Sequence, residues 1–194
     1  MYYDQLIEVQ FAQLFEAYIA KRLNMPRDNV RRIKPELKKK HVTDFSAVAF
    51  SREFGINFSE IVQNTYLQLD LSGIKKDLRK AAILTELDGE KTVFTANPSA
   101  FATRILEHLG LLGCFSQIIG IENVGFISKR DVRSYQIVEK LTGLSAEEIY
   151  FCDDSIENLN AAKERRWTTI LYCPTNTKVS GHILIRSFEE LLDL

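Results

Sequence analysis

The chain has 194 residues, a formal net charge of -1, 45% hydrophobic and 26% charged residues, enough for one or two domains with a buried core. So balanced a charge gives no global reason to expect nucleic acid or an anionic membrane as partner. No uninterrupted apolar run approaches transmembrane length, and Met1-Tyr2-Tyr3-Asp4 lacks the layout of a secretory signal, so a cytoplasmic globular protein is expected.

From Asp4 to Leu23 the apolar residues Ile7, Phe11, Leu14, Phe15, Tyr18 and Ile19 recur at three- and four-residue spacing, which predicts an amphipathic helix. Pro26 suits the first turn of a second helix running to Lys38-Lys39-Lys40, a basic run that reads as a solvated helix end. A third helix is expected from Thr43 to Glu53, stopped by Gly55, and Asn57-Phe58-Ser59-Glu60 opens a fourth. The first third is thus helical. Its aromatic residues Tyr18, Phe50 and Tyr66 are candidates for ligand contact, although core packing is the better expectation.

After Asp70-Leu71-Ser72-Gly73 comes a helix from Lys75 to Leu87, and then the pattern changes. Strands at 92–95, 117–119, 148–152 and 168–171 alternate with helices at 98–109, 131–141 and 155–165, and a short strand at 183–185 precedes a terminal helix from Phe188. Such alternation implies right-handed crossovers and a parallel sheet flanked by helices, an α/β fold. The three cysteines, Cys114, Cys152 and Cys173, are scattered and partly in apolar contexts, which favours core thiols over disulfides or a zinc site.

Three strand ends carry polar groups. The last is Asp153-Asp154-Ser155, followed by Asn158 one helical turn later. Ligands of open parallel sheets bind outside the carboxyl ends of the strands, so two acids there are placed to hold a hard cation such as Mg²⁺. One helix cap would need only one such residue. The first strand ends in Thr95-Ala96-Asn97-Pro98, whose hydroxyl and following N–H groups suit a phosphate, and Lys129 precedes a helix where a cation neutralises a phosphoryl group. Capping by Thr95 or Asn97 and a solvated Lys129 are the plainer alternatives for each alone. Together the three form a phosphate and metal site.

At these residues the chain resembles the haloacid dehalogenase-like phosphatases, and within them the pyrimidine 5'-nucleotidase branch. The run from Phe94 to Leu111 is similar to the family's second motif, in which the Thr binds a phosphoryl oxygen. Lys129 with Tyr135 resembles the third, although Arg130 and Val132 stand where two prolines are usual. Asp153 to Lys163 resembles the fourth, whose acids hold Mg²⁺. The resemblance implies a Rossmann-like core over residues 74–194 and a helical cap of C1 type over residues 1–73. It also implies phosphate contacts at Thr95, Ala96, Asn97 and Lys129, stabilisation of phosphoryl charge by Lys129, metal ligands Asp153 and Asp154, and a small nucleotide-like phosphate ester as partner.

The family's first motif, Asp-x-Asp-x-Thr, supplies the nucleophile and the acid-base carboxylate. No such pattern occurs in the sequence. By the resemblance it falls just ahead of Met1, on a central strand between those ending at Thr95 and Asp153. Without that strand, the two neighbours either pair with each other or leave edges that invite another strand, and each buried unpaired amide costs about 1–3 kcal/mol. An impaired phosphatase prone to self-association or strand donation is therefore expected. The alternatives are a non-catalytic interaction protein, and an active phosphatase completed by a strand from elsewhere.

Overall fold

The computed structural model describes residues 5–175 and 181–194; the expected start of the first helix at Asp4, and Met1 to Tyr3, lie outside them. The elements begin with α1 (Gln5–Arg22), α2 (Arg27–Lys40), α3 (Ser46–Phe54), α4 (Phe58–Asn64) and α5 (Leu78–Glu86). They continue with β1 (Thr92–Phe94), α6 (Ser99–Leu109), β2 (Gln117–Ile119), α7 (Val132–Thr142), β3 (Tyr150–Asp153), α8 (Ile156–Glu164), β4 (Thr168–Tyr172) and β5 (Ile183–Ile185). Packing divides the chain into two units, Met1–Lys75 with Ala100–His108, and Lys76–Ser99 with Leu109–Leu194.

The first unit is helical. The apolar spacing of α1 buries Phe15 and Ile19 completely, against Val30, Phe50, Ile61 and Leu69. Burying each such side chain contributes roughly 1.5–3 kcal/mol. Phe15 meets Phe50 edge-on at 5.2 Å, and Tyr66 meets Phe101 of α6 at 5.3 Å. Phe50 and Tyr66 are therefore core residues, while Tyr18 donates its hydroxyl to Glu60 at 2.6 Å. Gly55 ends α3 in the left-handed conformation at φ 66°, and Asn57 caps α4 by accepting the Ser59 N–H. Helix α3 starts at Ser46 instead of Thr43, because the Thr43 hydroxyl accepts the Phe45 N–H and folds those residues into a turn. In the basic run, Lys40 pairs with Glu53 at 2.8 Å and Lys39 is exposed.

The second unit is the α/β part. Among its described residues the strands form two parallel sheets, β1 with β2 and β3-β4-β5. Helix α8 lays Leu159 and Ala162, both fully buried, over this part of the fold. Strand β3 begins at Tyr150 and not at Glu148, since the Ser145 N–H and hydroxyl both bond the Glu148 carboxylate and hold Ala146–Glu148 in a 3₁₀ turn. The chain ends in another 3₁₀ turn, Glu189–Asp193, in place of the expected helix, with Glu190 accepting the N–H groups of Arg186 and Ser187. The three cysteines are free but only half-buried.

No ladder joins β1 to β3 among the described residues. The Thr95 N–H donates to Ile119 of β2, so by alternation the peptide groups of Phe94 face away from β2. Likewise Thr168 donates to Ile149, so those of Tyr150 and Cys152 face away from β4. The outward carbonyl of Phe94 accepts a hydrogen bond from Lys129 instead.

Candidate functional site

The site grows from the carboxyl end of β3. Asp153 is its last residue, and Ser155 then caps α8 by accepting the Asn158 N–H. Asp153 Oδ1 accepts the Ser155 N–H at 2.9 Å and Asn158 Nδ2 at 3.1 Å, which fixes the plane of the carboxylate. Its Oδ2 accepts from Lys129 Nζ at 2.5 Å. Lys129 comes from the loop between β2 and α7, where Asp131 caps the helix through the Arg133 N–H. Lysine and aspartate are only 7% and 5% exposed, so this is a buried charge pair and not a solvated loop lysine. A second bond from Lys129 Nζ reaches the Phe94 carbonyl at 3.2 Å. One ammonium thereby ties the carboxyl end of β1 to that of β3.

Thr95 follows β1 directly, and its hydroxyl accepts the Asn97 N–H at 3.1 Å. The Ser99 N–H and hydroxyl both go to Glu122, which leaves the Ala96 amide as the donor of this turn without a partner among the described residues. Gly120 lets the chain close up here, because a Cβ on it would lie 2.3 Å from the Ser99 nitrogen. The second oxygen of Glu122 is buried without a hydrogen-bond partner among the described residues. Asp154, next to the buried pair, is exposed. Burial and the flanking carboxylates of Asp153 and Asp154 push the Cys152 thiol up to about 12. Burial, helped by Asp153, also raises Tyr135, whose hydroxyl donates to the Asn158 carbonyl at 2.7 Å.

This donor set suits a hard cation. Asp153 already accepts three hydrogen bonds, close to the four that a carboxylate takes, and Asp154 offers exposed oxygens beside it. The described residues contain no group of three or more His, Cys, Asp or Glu placed to hold a metal. The exposed Asp154, with the one acceptor position left on Asp153, would suit Mg²⁺, which keeps several waters and takes one or two carboxylates together with a phosphate oxygen. Chemically, the arrangement offers a buried ammonium and, among the described residues, an unpartnered Ala96 amide at neighbouring strand ends.

Nothing in the sequence pattern marks Glu122, three residues past β2, as the carboxylate that closes the start of α6. Phe94 and Phe151 also escape it, since each reads as an ordinary apolar strand residue. Their rings nevertheless lie side by side, 6.3 Å apart, and both approach the Lys129 ammonium.

The model of the haloacid dehalogenase-like hydrolases matches residues 12–164. The chain belongs to that family. Within 60 residues, 31% of the chain, it is 38% identical to the enolase-phosphatase E1 of Pseudomonas syringae pv. tomato, and the match spans only 26% of that protein. Solved haloacid dehalogenase-like folds cover nearly the whole chain. A phosphatase of the family from Thermococcus onnurineus superposes with a TM-score of 0.59 at 18% identity, over 97% of this chain and 89% of that one. The 2-haloacid dehalogenase of Pseudomonas syringae pv. tomato gives 0.63 at 13% identity, over 97% and 90%. The hydrolase YfnB of Bacillus subtilis, bound to magnesium in its crystal, gives 0.53 at 17% identity, over 94% and 90%. At such identities these structures speak for the fold alone.

Proposed function

We propose that this hydrolase-family chain carries a phosphatase-type site that binds Mg²⁺ and a small phosphate monoester, nucleotide-like as in pyrimidine 5'-nucleotidases, and that it hydrolyses such esters poorly. The observation that carries the reading is the buried Lys129–Asp153 pair at the carboxyl ends of β1 and β3. Lys129 places positive charge where phosphoryl oxygens gather charge, and the Ala96 amide and Thr95 hydroxyl line the adjacent turn. Asp153 and Asp154 would hold Mg²⁺, which shields the negative charge of the phosphoryl group. The enolase-phosphatase relative supports the phosphate-ester class. Poor hydrolysis is the reading supported by the lack of an Asp-x-Asp-x-Thr in the sequence, the pattern from which family members draw their attacking carboxylate and acid-base partner.

One observation favours a second reading, a phosphatase completed by a strand supplied from elsewhere. Strands β1 and β3 turn peptide groups that are unladdered among the described residues away from β2 and β4, and such edges accept an added strand. Turnover of p-nitrophenyl phosphate with Mg²⁺ separates the two. The chain alone should stay near background. A form carrying an Asp-x-Asp-x-Thr strand ahead of Met1 should gain at least about a hundredfold, and Asp153→Asn should remove the gain. Strong turnover by the chain alone, abolished by Asp153→Asn, would overturn the impairment and leave the site intact. No gain in the extended form would count against the site.

A further inference from the structure

Two neighbouring aromatic rings approach the Lys129 ammonium, and neither has a part in the phosphate reading. Nζ lies 5.0 Å from the ring centroid of Phe94, the last residue of β1, and 4.9 Å from that of Phe151 in β3. The rings are themselves held: Tyr135 meets Phe94 edge-on at 5.5 Å, and Trp167 meets Phe151 edge-on at 5.7 Å. Trp167 in turn donates its indole N–H to Glu139 at 2.9 Å. Hydrogen bonds to the Phe94 carbonyl and to Asp153 engage two of the three N–H bonds of the ammonium. A lysine side chain has many rotamers, and one carboxylate contact restrains only one direction of its motion.

We propose that Phe94 and Phe151 are positioning residues, a cation–π clamp of two adjacent rings that immobilises the Lys129 ammonium and leaves its third N–H in a fixed direction for an anionic oxygen. The use of that third bond rests on the phosphate-site reading; the clamp itself does not. Simple apolar packing explains the rings' burial. It does not explain two π faces within 5.0 Å of one ammonium, the separation at which such attraction acts.

The test begins on the ligand-free chain. Nuclear magnetic resonance of the lysine ammonium groups, with Lys129→Met to assign the signal, should show one slowly exchanging ammonium whose neighbouring methylene protons are displaced by ring currents. Phe94→Leu and Phe151→Leu keep apolar bulk and remove a π face, so both should weaken the displacement and speed the exchange, while Phe151→Tyr keeps them. An undisplaced, fast-exchanging Lys129 in the wild-type chain would overturn the clamp, even where a leucine variant fails to fold. So would folded leucine variants with the wild-type signal. Orthophosphate with Mg²⁺ is the second arm. Its affinity should fall about threefold to thirtyfold in the leucine variants and hold in Phe151→Tyr, a split that lost packing alone does not produce. A wild-type chain with an immobile Lys129 and no phosphate binding would overturn the phosphate reading and leave the clamp standing.

Discussion

Lys129 shows how far one side chain departs from what its place in the sequence suggests. A lysine in a loop before a helix is ordinarily solvated, yet this one is enclosed by a carboxylate, a strand-end carbonyl and two rings. Removing one member of a buried pair leaves the other charge uncompensated. Lys129→Met is therefore predicted to lower stability by about 3–5 kcal/mol, read from a shifted urea midpoint at unchanged slope. Lys129→Met with Asp153→Asn should recover part of that loss, because the stranded charge is gone. If the single and double variants are equally unstable, the pair is not the source. Asp153 and Lys129 could be picked out of the sequence because strand ends of parallel sheets collect functional groups. Their mutual contact could not, since 24 residues separate them and only the folded sheet brings them together.

At the scale of elements, two local arrangements position the site. The first is the junction of β2 and α6, where Gly120 leaves so little room that a Cβ would strike the Ser99 backbone. Gly120→Ala should destabilise by about 3 kcal/mol or prevent folding, measured by thermal melting; a wild-type melting temperature would show that the junction gives way easily. The second is Glu139 on α7, which accepts from Arg165 at 3.1 and 2.8 Å and from Trp167. Hydrogen bonds from Arg165 first, then Trp167, hold the Glu139 carboxyl below its usual 4.5. A carboxylate depressed in the folded state adds stability above its unfolded value, and this is lost as pH falls through the folded value. Glu139→Gln should therefore be less stable at neutral pH and should lose less stability between about pH 5 and pH 3 than the wild type. Parallel pH profiles of the two would contradict this. Most elements were legible from periodicity and caps: α3 stops at Gly55 and α4 starts from Asn57, as expected. The errors lie where side chains compete with the ladder for backbone groups, as Thr43, Glu148 and Glu190 do. Such competition is settled by geometry a few residues long, which apolar periodicity does not encode.

For the molecule as a whole, the α/β class followed from the alternation of strands and helices, and the family match over residues 12–164 agrees with it. Among the described residues the strands divide into β1-β2 and β3-β4-β5, and no Asp-x-Asp-x-Thr occurs in the sequence. Thr95 and Asp153 follow or end strands on the two sides of that division, and Lys129 bonds to both sides, at the Phe94 carbonyl and at Asp153. We propose that binding and hydrolysis are separable properties of this chain. Calorimetric titration of orthophosphate in the presence and absence of Mg²⁺ addresses the claim most directly. Saturable binding that requires Mg²⁺ and disappears in Lys129→Met and in Asp154→Asn is the predicted result, and an absence of binding, or binding indifferent to Mg²⁺ and to both substitutions, would contradict it.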